Sequence, residues 1–580
     1  MRRLRSAVAV GAVVTLGAAA CGAPKPSNSG NGSGSGSSIS VQANAIDPAA
    51  KGPAPAVPGA RKGGEVTVYA TSPPSTFDPT DIYFTDSNEI GKLLFRTPTT
   101  FALRNGKPTL VPDLTDVGEV SDDKLTWTFT MKKGIRYENG DEVKVEDLEY
   151  AILRSFARDV YPNGPAYQNT YFKGGKKYKG PYKDKDADFK GVTTSGDDKL
   201  IIKLAQPFSD LPFYMSFPMF TPIPQGKDTK QEYKNKPLAT GPYRFDKYTP
   251  GTELKLARND KWDANSDAVR HDYPDAWTFK WGQDHIKTQQ QVLNSNGPDA
   301  NAIDYNGVDA SLLGEVTGAK SSQLLKGESP CTSGIQLDSR KIPLEVRKAI
   351  AKAYPYDQIW KAAGTTELSA EPASTVLPPS VPGHKKYTPV EDLDGQGTGD
   401  PEGAKKLLEA AGKLNFELSW YYDNTQPVPQ QVSQVRADAL KKAGFAVKPL
   451  GVASAKLREK KSDYDASVNM GQSPAGWCSD WPTGGSWFPV LFRSQSIEEG
   501  TTWGMLSDSV LDAKINEINE LPAEQATAKW ADLDREIMEK YVFLPSTYSK
   551  MADVVGTNVG GAEGDPTMGL PFLPNVYLKS

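Results

Sequence analysis

Asp400-Pro401-Glu402-Gly403-Ala404-Lys405-Lys406-Leu407-Leu408-Glu409-Ala410-Ala411-Gly412, followed by Lys413-Leu414-Asn415-Phe416-Glu417-Leu418-Ser419-Trp420, decides the fold class. Asp400 offers a side-chain acceptor to the first helical N–H groups, and Pro401 fits the first turn that needs no donor. Ala404, Leu407, Leu408 and Ala411 recur at helical spacing as one apolar stripe, and Gly412 ends the helix. Leu414, Phe416, Leu418 and Trp420 then alternate with other residues, the period of a strand. Val432, Val435, Ala439 and Ala443 repeat the helical period up to Gly444, and Phe445 to Val447 begins another strand. Strand and helix in alternation predict an α/β lobe.

Downstream, Tyr464, Ala466, Val468 and Met470 alternate and predict a strand leading into Gly476-Trp477-Cys478-Ser479-Asp480-Trp481. Two indoles, a thiol and a carboxylate within six residues make this stretch the candidate ligand site. Trp477 and Trp481 can wall side-chain pockets or stack on a cation. Leu511, Ile515 and Ile518, then Trp530, Leu533 and Ile537, mark two amphipathic helices whose stripes are core. Upstream, Glu65 to Ala70 alternates as a strand stopped by Thr71-Ser72-Pro73-Pro74, and Phe77-Asp78-Pro79 makes a turn. Leu125, Trp127, Phe129 and Met131 alternate with threonines, and Asn139-Gly140 is a turn. Leu148, Ile152 and Phe156 follow as a helix that Val143, Lys144 and Val145 cap poorly.

The chain has 580 residues, more than one core supports, so two or three domains are expected. The formal charge is -4, and loss of Arg2, Arg3 and Arg5 would make it more negative. That balance gives no electrostatic footprint for nucleic acid. The lysines between Lys173 and Lys185 alternate with Gly, Pro and Asp and read as a solvated loop. Met1 to Arg5 is basic, Ala7 to Ala20 is small and apolar, and Cys21 follows, the layout of a secretory signal over residues 1–20. The apolar run is too short to span a bilayer. Leu16-Gly17-Ala18-Ala19-Ala20-Cys21 resembles a bacterial lipobox, which implies acylation of Cys21 and attachment to the outer face of the cell membrane. Residues 21–63 are rich in Gly, Ser, Asn, Ala and Pro and read as a flexible tether. The other two cysteines, Cys331 and Cys478, form an even pair in an exported chain. They read as a disulfide, with two separate thiols as the alternative.

A wider set of fragments is recognisable. Leu110-Val111-Pro112-Asp113-Leu114, Val120-Ser121-Asp122-Asp123, Thr126-Trp127-Thr128-Phe129, Lys133-Gly134-Ile135, Asn139-Gly140 and Val145-Glu146-Asp147-Leu148 occur in this order. Together they resemble the signature of the extracytoplasmic solute-binding proteins of family 5, the peptide- and nickel-binding components of ABC importers. Ala239-Thr240-Gly241-Pro242-Tyr243 with Pro250-Gly251 and Ala257-Arg258-Asn259 matches a strand-turn-strand of that family. Val346 to Ile359 matches its central helix. The resemblance implies a two-lobed periplasmic-binding-protein-like fold (type II, cluster C) with an extra inserted domain. On this chain lobe I would comprise residues 64–82, 238–330 and 546–580, the insertion 83–237, and lobe II 331–545. The crossovers would lie near Cys331 and Pro545.

At Gly476–Trp481 the resemblance is to the oligopeptide-binding members. It implies that Cys478 is disulfide-bonded, that Gly476, Trp477 and Cys478 pair with a peptide backbone, and that Asp480 takes the ligand α-ammonium. Ala70, Thr71 and Ser72 would meet the ligand from the other lobe. Beyond Trp481 the chain reads Pro482-Thr483-Gly484-Gly485-Ser486-Trp487 and departs from the Asn-Glu-Pro of those members, so the pocket past the aspartate differs. The expectation is a monomeric, lipid-anchored receptor that delivers short peptides to an ABC permease, without cofactor or metal. Oligosaccharides, metal chelates and opine-like compounds suit the same fold, and a sensor contacting a second membrane protein has the same sequence features. A secreted hydrolase is the rival from another class. The Gly-x-Ser-x-Gly, His-Glu-x-x-His and phosphate-loop motifs are missing, and His271, His285 and His384 lie far apart.

Overall fold

The computed structural model describes residues 45–579 except 386, 473, 474 and 500. Cys21 and the expected signal therefore lie outside the described residues. The organising element is a nine-stranded sheet. Its main path runs Gly476–Cys478, Leu324–Gln336, Phe543–Val555, Ala302–Asp304, Glu65–Tyr69, Ala276–Lys280, Glu253–Arg258 and Tyr243–Thr249. Glu65–Tyr69 lies between two parallel neighbours, which fits its inward Val66 and Val68, exposed by 0% and 2%.

Two 13-residue strands, Leu324–Gln336 and Phe543–Val555, run antiparallel and carry the chain from one core to another. Leu324 pairs with Val554 at one end, and Gln336 with Phe543 at the other. Their register breaks between Glu328 and Thr332 and again between Ser333 and Gly334. Pro330 falls in the first break and Pro545, opposite Gly334, at the second; neither can donate to a ladder. Beyond the breaks, Ile335, Phe543 and Leu544 enter a large core with Trp420, Trp487, Trp503 and Trp530. Before them, Leu325 and Val555 join the core of Val66, Val68 and Trp277.

A third core belongs to the inserted stretch. Thr126–Thr130 sits in a four-stranded antiparallel sheet and buries Trp127 and Phe129 with Leu148, Ile152 and Phe156. Helix Val145–Ser155 lacks a side-chain cap at Lys144, but Asp147 accepts the Lys144 N–H at 3.0 Å. Helix Thr85–Leu94 packs Ile90, Leu93 and Leu94 into the core of Val66, Val68 and Trp277 instead, and the inserted core begins at Phe101.

Asp400 caps helix Pro401–Ala410 by accepting the Gly403 N–H, and strands Glu417–Asp423 and Ala446–Val452 pair in parallel around helix Pro427–Lys442. Several expectations are corrected. Leu407 is 41% exposed, so the helix buries only Ala404 and Leu408. Leu414 is exposed and precedes its strand. Tyr464–Met470 is no strand: Asn469 binds across the end of Glu417–Asp423 with its side chain, and Lys341 holds the Ala466 and Val468 carbonyls. The central helix is two helices, Leu344–Ala353 and Tyr356–Ala363, because Pro355 cannot continue the first. The tether does not reach residue 63. From Ala45 the chain is bound to the body: Ala45 pairs with Thr109, Ala50 is buried beside Val111 and Phe572, and Arg61 donates to the Leu578 carbonyl at 3.2 Å. Its Pro- and Gly-rich composition serves a close-fitting path, since a Cβ on Gly52 would stand 2.5 Å from Asn265 O.

Candidate functional site

Gly476–Cys478 ends the nine-stranded sheet, held by Cys331–Ser333 of the crossover strand. The disulfide Cys331–Cys478 joins directly opposed residues with Cα atoms 3.9 Å apart. Ser479 N–H donates to Pro330 O at 2.9 Å and Gly334 N–H to Ala475 O at 3.1 Å. This alternation turns the backbone groups of Trp477 toward the crossover strand and those of Gly476 and Cys478 away from it. Among the described residues no strand covers that outer edge.

Asp480 follows the edge strand and turns back toward the inserted stretch. Its carboxylate accepts from Tyr83 Oη at 3.0 Å and from Tyr167 Oη. No Lys, Arg or His among the described residues pairs with it. Desolvation pushes its pKa up to about 7 against the two phenol donors, which act to lower it. The residue keeps partial exposure and lines a pocket that opens to solvent. Phe95, Phe101 and Phe217 supply aromatic wall there.

Trp481, one residue on, is 1% exposed and belongs to the inserted core. Its ring meets Tyr167 edge-on at 4.9 Å and Phe208 at 5.8 Å. Its indole N–H donates to Asp210 Oδ2 at 2.8 Å, and the Thr483 hydroxyl donates to the same oxygen. Burial raises the Asp210 pKa, with Thr483 and Trp481 acting to lower it. Trp477 is half-buried against the large core and donates to Ser486 O at 3.0 Å. The two indoles therefore do not form a row along the cleft.

Ala70, Thr71 and Ser72 leave the C-terminal end of Glu65–Tyr69, and Thr71 and Ser72 are exposed. Ala70 N–H is taken by Lys280 O, Thr71 N–H by Asn306 Oδ1, and Thr71 O by Gly282 N–H. Ser72 backbone groups have no protein partner among the described residues. These three do not line the pocket beside Asp480. Tyr83, Tyr167 and Asp210 were missed by the sequence reading. They stand 397, 313 and 271 residues from their partners in the chain, and no local pattern marks them. Among the described residues no group of three His, Cys, Asp or Glu could hold a metal, and no helix is long and apolar enough to cross a membrane.

Two lobes joined by paired crossover strands define a type II binding-protein fold. The model of the bacterial extracellular solute-binding proteins, family 5 (middle), matches residues 109–498, and the chain belongs to that family. The chain is 24% identical over 489 residues to the probable di/tripeptide-binding protein 5 of Pseudomonas aeruginosa, covering 80% of this chain and 86% of that one. It is 22% identical over 493 residues to the periplasmic oligopeptide-binding protein OppA of Escherichia coli, covering 79% and 82%. Among solved structures, the clavulanic acid biosynthesis oligopeptide binding protein 2 aligns with a TM-score of 0.80 at 23% identity, over 92% of this chain and 99% of that one.

Proposed function

We propose that the chain is the substrate-binding component of an ABC importer and takes short peptides with a free amino terminus. The observation that carries the reading is Asp480, a shielded carboxylate at the pocket with two phenol donors and no cation. An isolated buried charge is costly, and an ammonium from the ligand completes the pair. The outer edge of Gly476–Cys478 offers backbone groups of Gly476 and Cys478 to an extended peptide, which suits recognition independent of side chains. From the other lobe, Ser72 is the residue of Ala70–Ser72 whose backbone is free to join. Peptide-binding relatives support the same reading.

In this reading the lobes close about Leu324–Gln336 and Phe543–Val555, with the insertion beginning near Phe101 and ending at 237, and residues 331–545 as lobe II. The protein acts as a monomer outside the cell, anchored through acylated Cys21, and hands its ligand to the permease. Isothermal titration of a free tripeptide and its N-acetylated form, on the wild type and Asp480→Asn, tests the site. The free peptide should lose at least tenfold in affinity on either change, by the size of a charged hydrogen bond. Equal affinities throughout would remove the ammonium assignment. Mass determination of membrane-extracted protein, with and without Cys21→Ser, tests the anchor.

A further inference from the structure

We infer that the pocket beside Asp480 selects a peptide whose first side chain ends in an oxygen acceptor, and that Arg270 and Asn88 are the residues that read it. The inference rests on the peptide reading above and names the substrate class more closely.

Arg270 lines the pocket and is 3% exposed. Its Nε donates to Lys92 O at 2.8 Å, and its Nη1 lies 2.9 Å from Asp113 Oδ2 and 3.1 Å from Asp267 Oδ2. Those three acceptors use Nε and Nη1. Nη2, with two N–H groups, has no acceptor among the described residues. Asn88 lines the same pocket from helix Thr85–Leu94, one turn before Lys92, and is 9% exposed. Its side-chain amide also has no partner among the described residues. Two nearly buried side chains with unused donors thus line one pocket together with Asp480.

The sign of the preference follows from what faces the pocket. Lys92 and Arg270 line it, whereas the carboxylates that neutralise them stand behind: Glu89 at 0%, Asp565 at 1%, Asp113 at 1% and Asp267 at 0% side-chain exposure. The pocket therefore presents donors on a nearly balanced charge background. A neutral carboxamide or a carboxylate meets those donors; an apolar tip leaves them unsatisfied, and an ammonium meets them with more donors. Phe95, Phe101 and Phe217 accommodate the methylenes that lead to the tip.

The test is titration calorimetry on the wild-type protein with free-amine tripeptides X-Ala-Ala, where X is Gln, Glu, Leu, Met or Lys. Gln and Glu peptides should bind roughly tenfold or more tightly than Leu or Met, with Lys the weakest, by the cost of an unmet charged donor. The Gln and Glu arms separate a neutral from an anionic acceptor. Asn88→Leu, which leaves the Arg270 ion pairs intact, should lower the Gln-over-Leu ratio at least threefold. A Leu or Lys peptide equal to Gln, with N-acetylation still abolishing binding, would overturn this inference and leave the peptide reading standing. Failure of every free-amine peptide to bind would overturn both.

Discussion

Replacing Asp480 by Asn should stabilise the unliganded protein at neutral and alkaline pH and weaken it as a receptor. The carboxylate ordinarily titrates near 3.8 and here is pushed up to about 7 by desolvation. The gap of about three units, at about 1.4 kcal/mol each, sets an upper bound of about 4 kcal/mol on the cost of ionising it in the folded chain. Residual exposure to the pocket reduces this, so about 2–4 kcal/mol is expected. The sign follows from linkage. Asp480 binds its proton more tightly when folded, so its contribution to stability is fully present below the unfolded value near 3.8 and is lost as pH rises through about 7. Asn cannot ionise, keeps the volume, and still offers an oxygen to Tyr83 or Tyr167. Melting curves of both proteins at pH 4, 6 and 8 should therefore coincide within a degree or two at pH 4 and separate progressively above it, with the variant higher. A constant difference across that range, or a variant less stable at pH 8, would refute the claim that the carboxylate lacks a cationic partner.

Three further outcomes are expected. Binding of a free-amine peptide at pH 7 should release somewhat less than half a proton, because a carboxyl titrating near 7 is half protonated before the ammonium arrives, and at pH 9 should take up most of a proton, because an α-amino group titrating at about 8 is then largely neutral in the free peptide; titration in buffers of different ionisation enthalpy reads this directly. Reducing Cys331–Cys478 frees a chain closure of 147 residues, for which loop entropy gives at most about 5 kcal/mol, and thermal unfolding with and without reductant should show a large downward shift. Trp481→Ala should cost about 3–5 kcal/mol through the emptied aromatic socket, whereas Trp481→Phe should cost about 1–3 kcal/mol, chiefly for the donor that Asp210 loses; denaturant titration separates the two.

Where neighbours in sequence are neighbours in space, the chain was readable. Asp400 caps its helix, Leu418 and Trp420 turn inward at 0% exposure, and Leu511, Ile515 and Ile518 form a buried stripe, all from local spacing. Local spacing also misled. Tyr464 to Met470 has a strand's alternation, but Asn469 and Lys341 satisfy its backbone neighbourhood with side chains, and alternation alone carries no information about a ladder partner. Leu407 fits the helical stripe yet stays 41% exposed. The site was legible in its residue types and not in its surroundings. The carboxylate, the edge strand and the linked cysteines stand in one short stretch. The phenols that shield Asp480 and the acid that receives Trp481 come from chain hundreds of residues earlier, brought there only by tertiary packing.

Asp480 and Trp481 are adjacent, and their opposite chemistry bears on closure. Both reach groups of the inserted stretch, so a hinge motion about the crossover strands that withdrew residue 480 would withdraw residue 481 as well. Burying an indole of about 200 Å² contributes about 5 kcal/mol toward the closed form. Shielding the Asp480 carboxylate without a cation opposes it by up to about 4 kcal/mol. On the proposed closure the second term offsets much of the first, and the entropy lost in ordering the lobes opposes closure further, which would bring the empty protein nearer to balance between open and closed and let a ligand ammonium decide the outcome through its preference for one form. It follows that Asp480→Asn, by removing the charge term alone, should shift the empty protein toward the closed form. Small-angle scattering at pH 8 should give the unliganded variant a smaller radius of gyration than the unliganded wild type, close to that of the wild type with peptide. An unliganded variant as extended as the wild type would mean that the charge of Asp480 does not restrain closure.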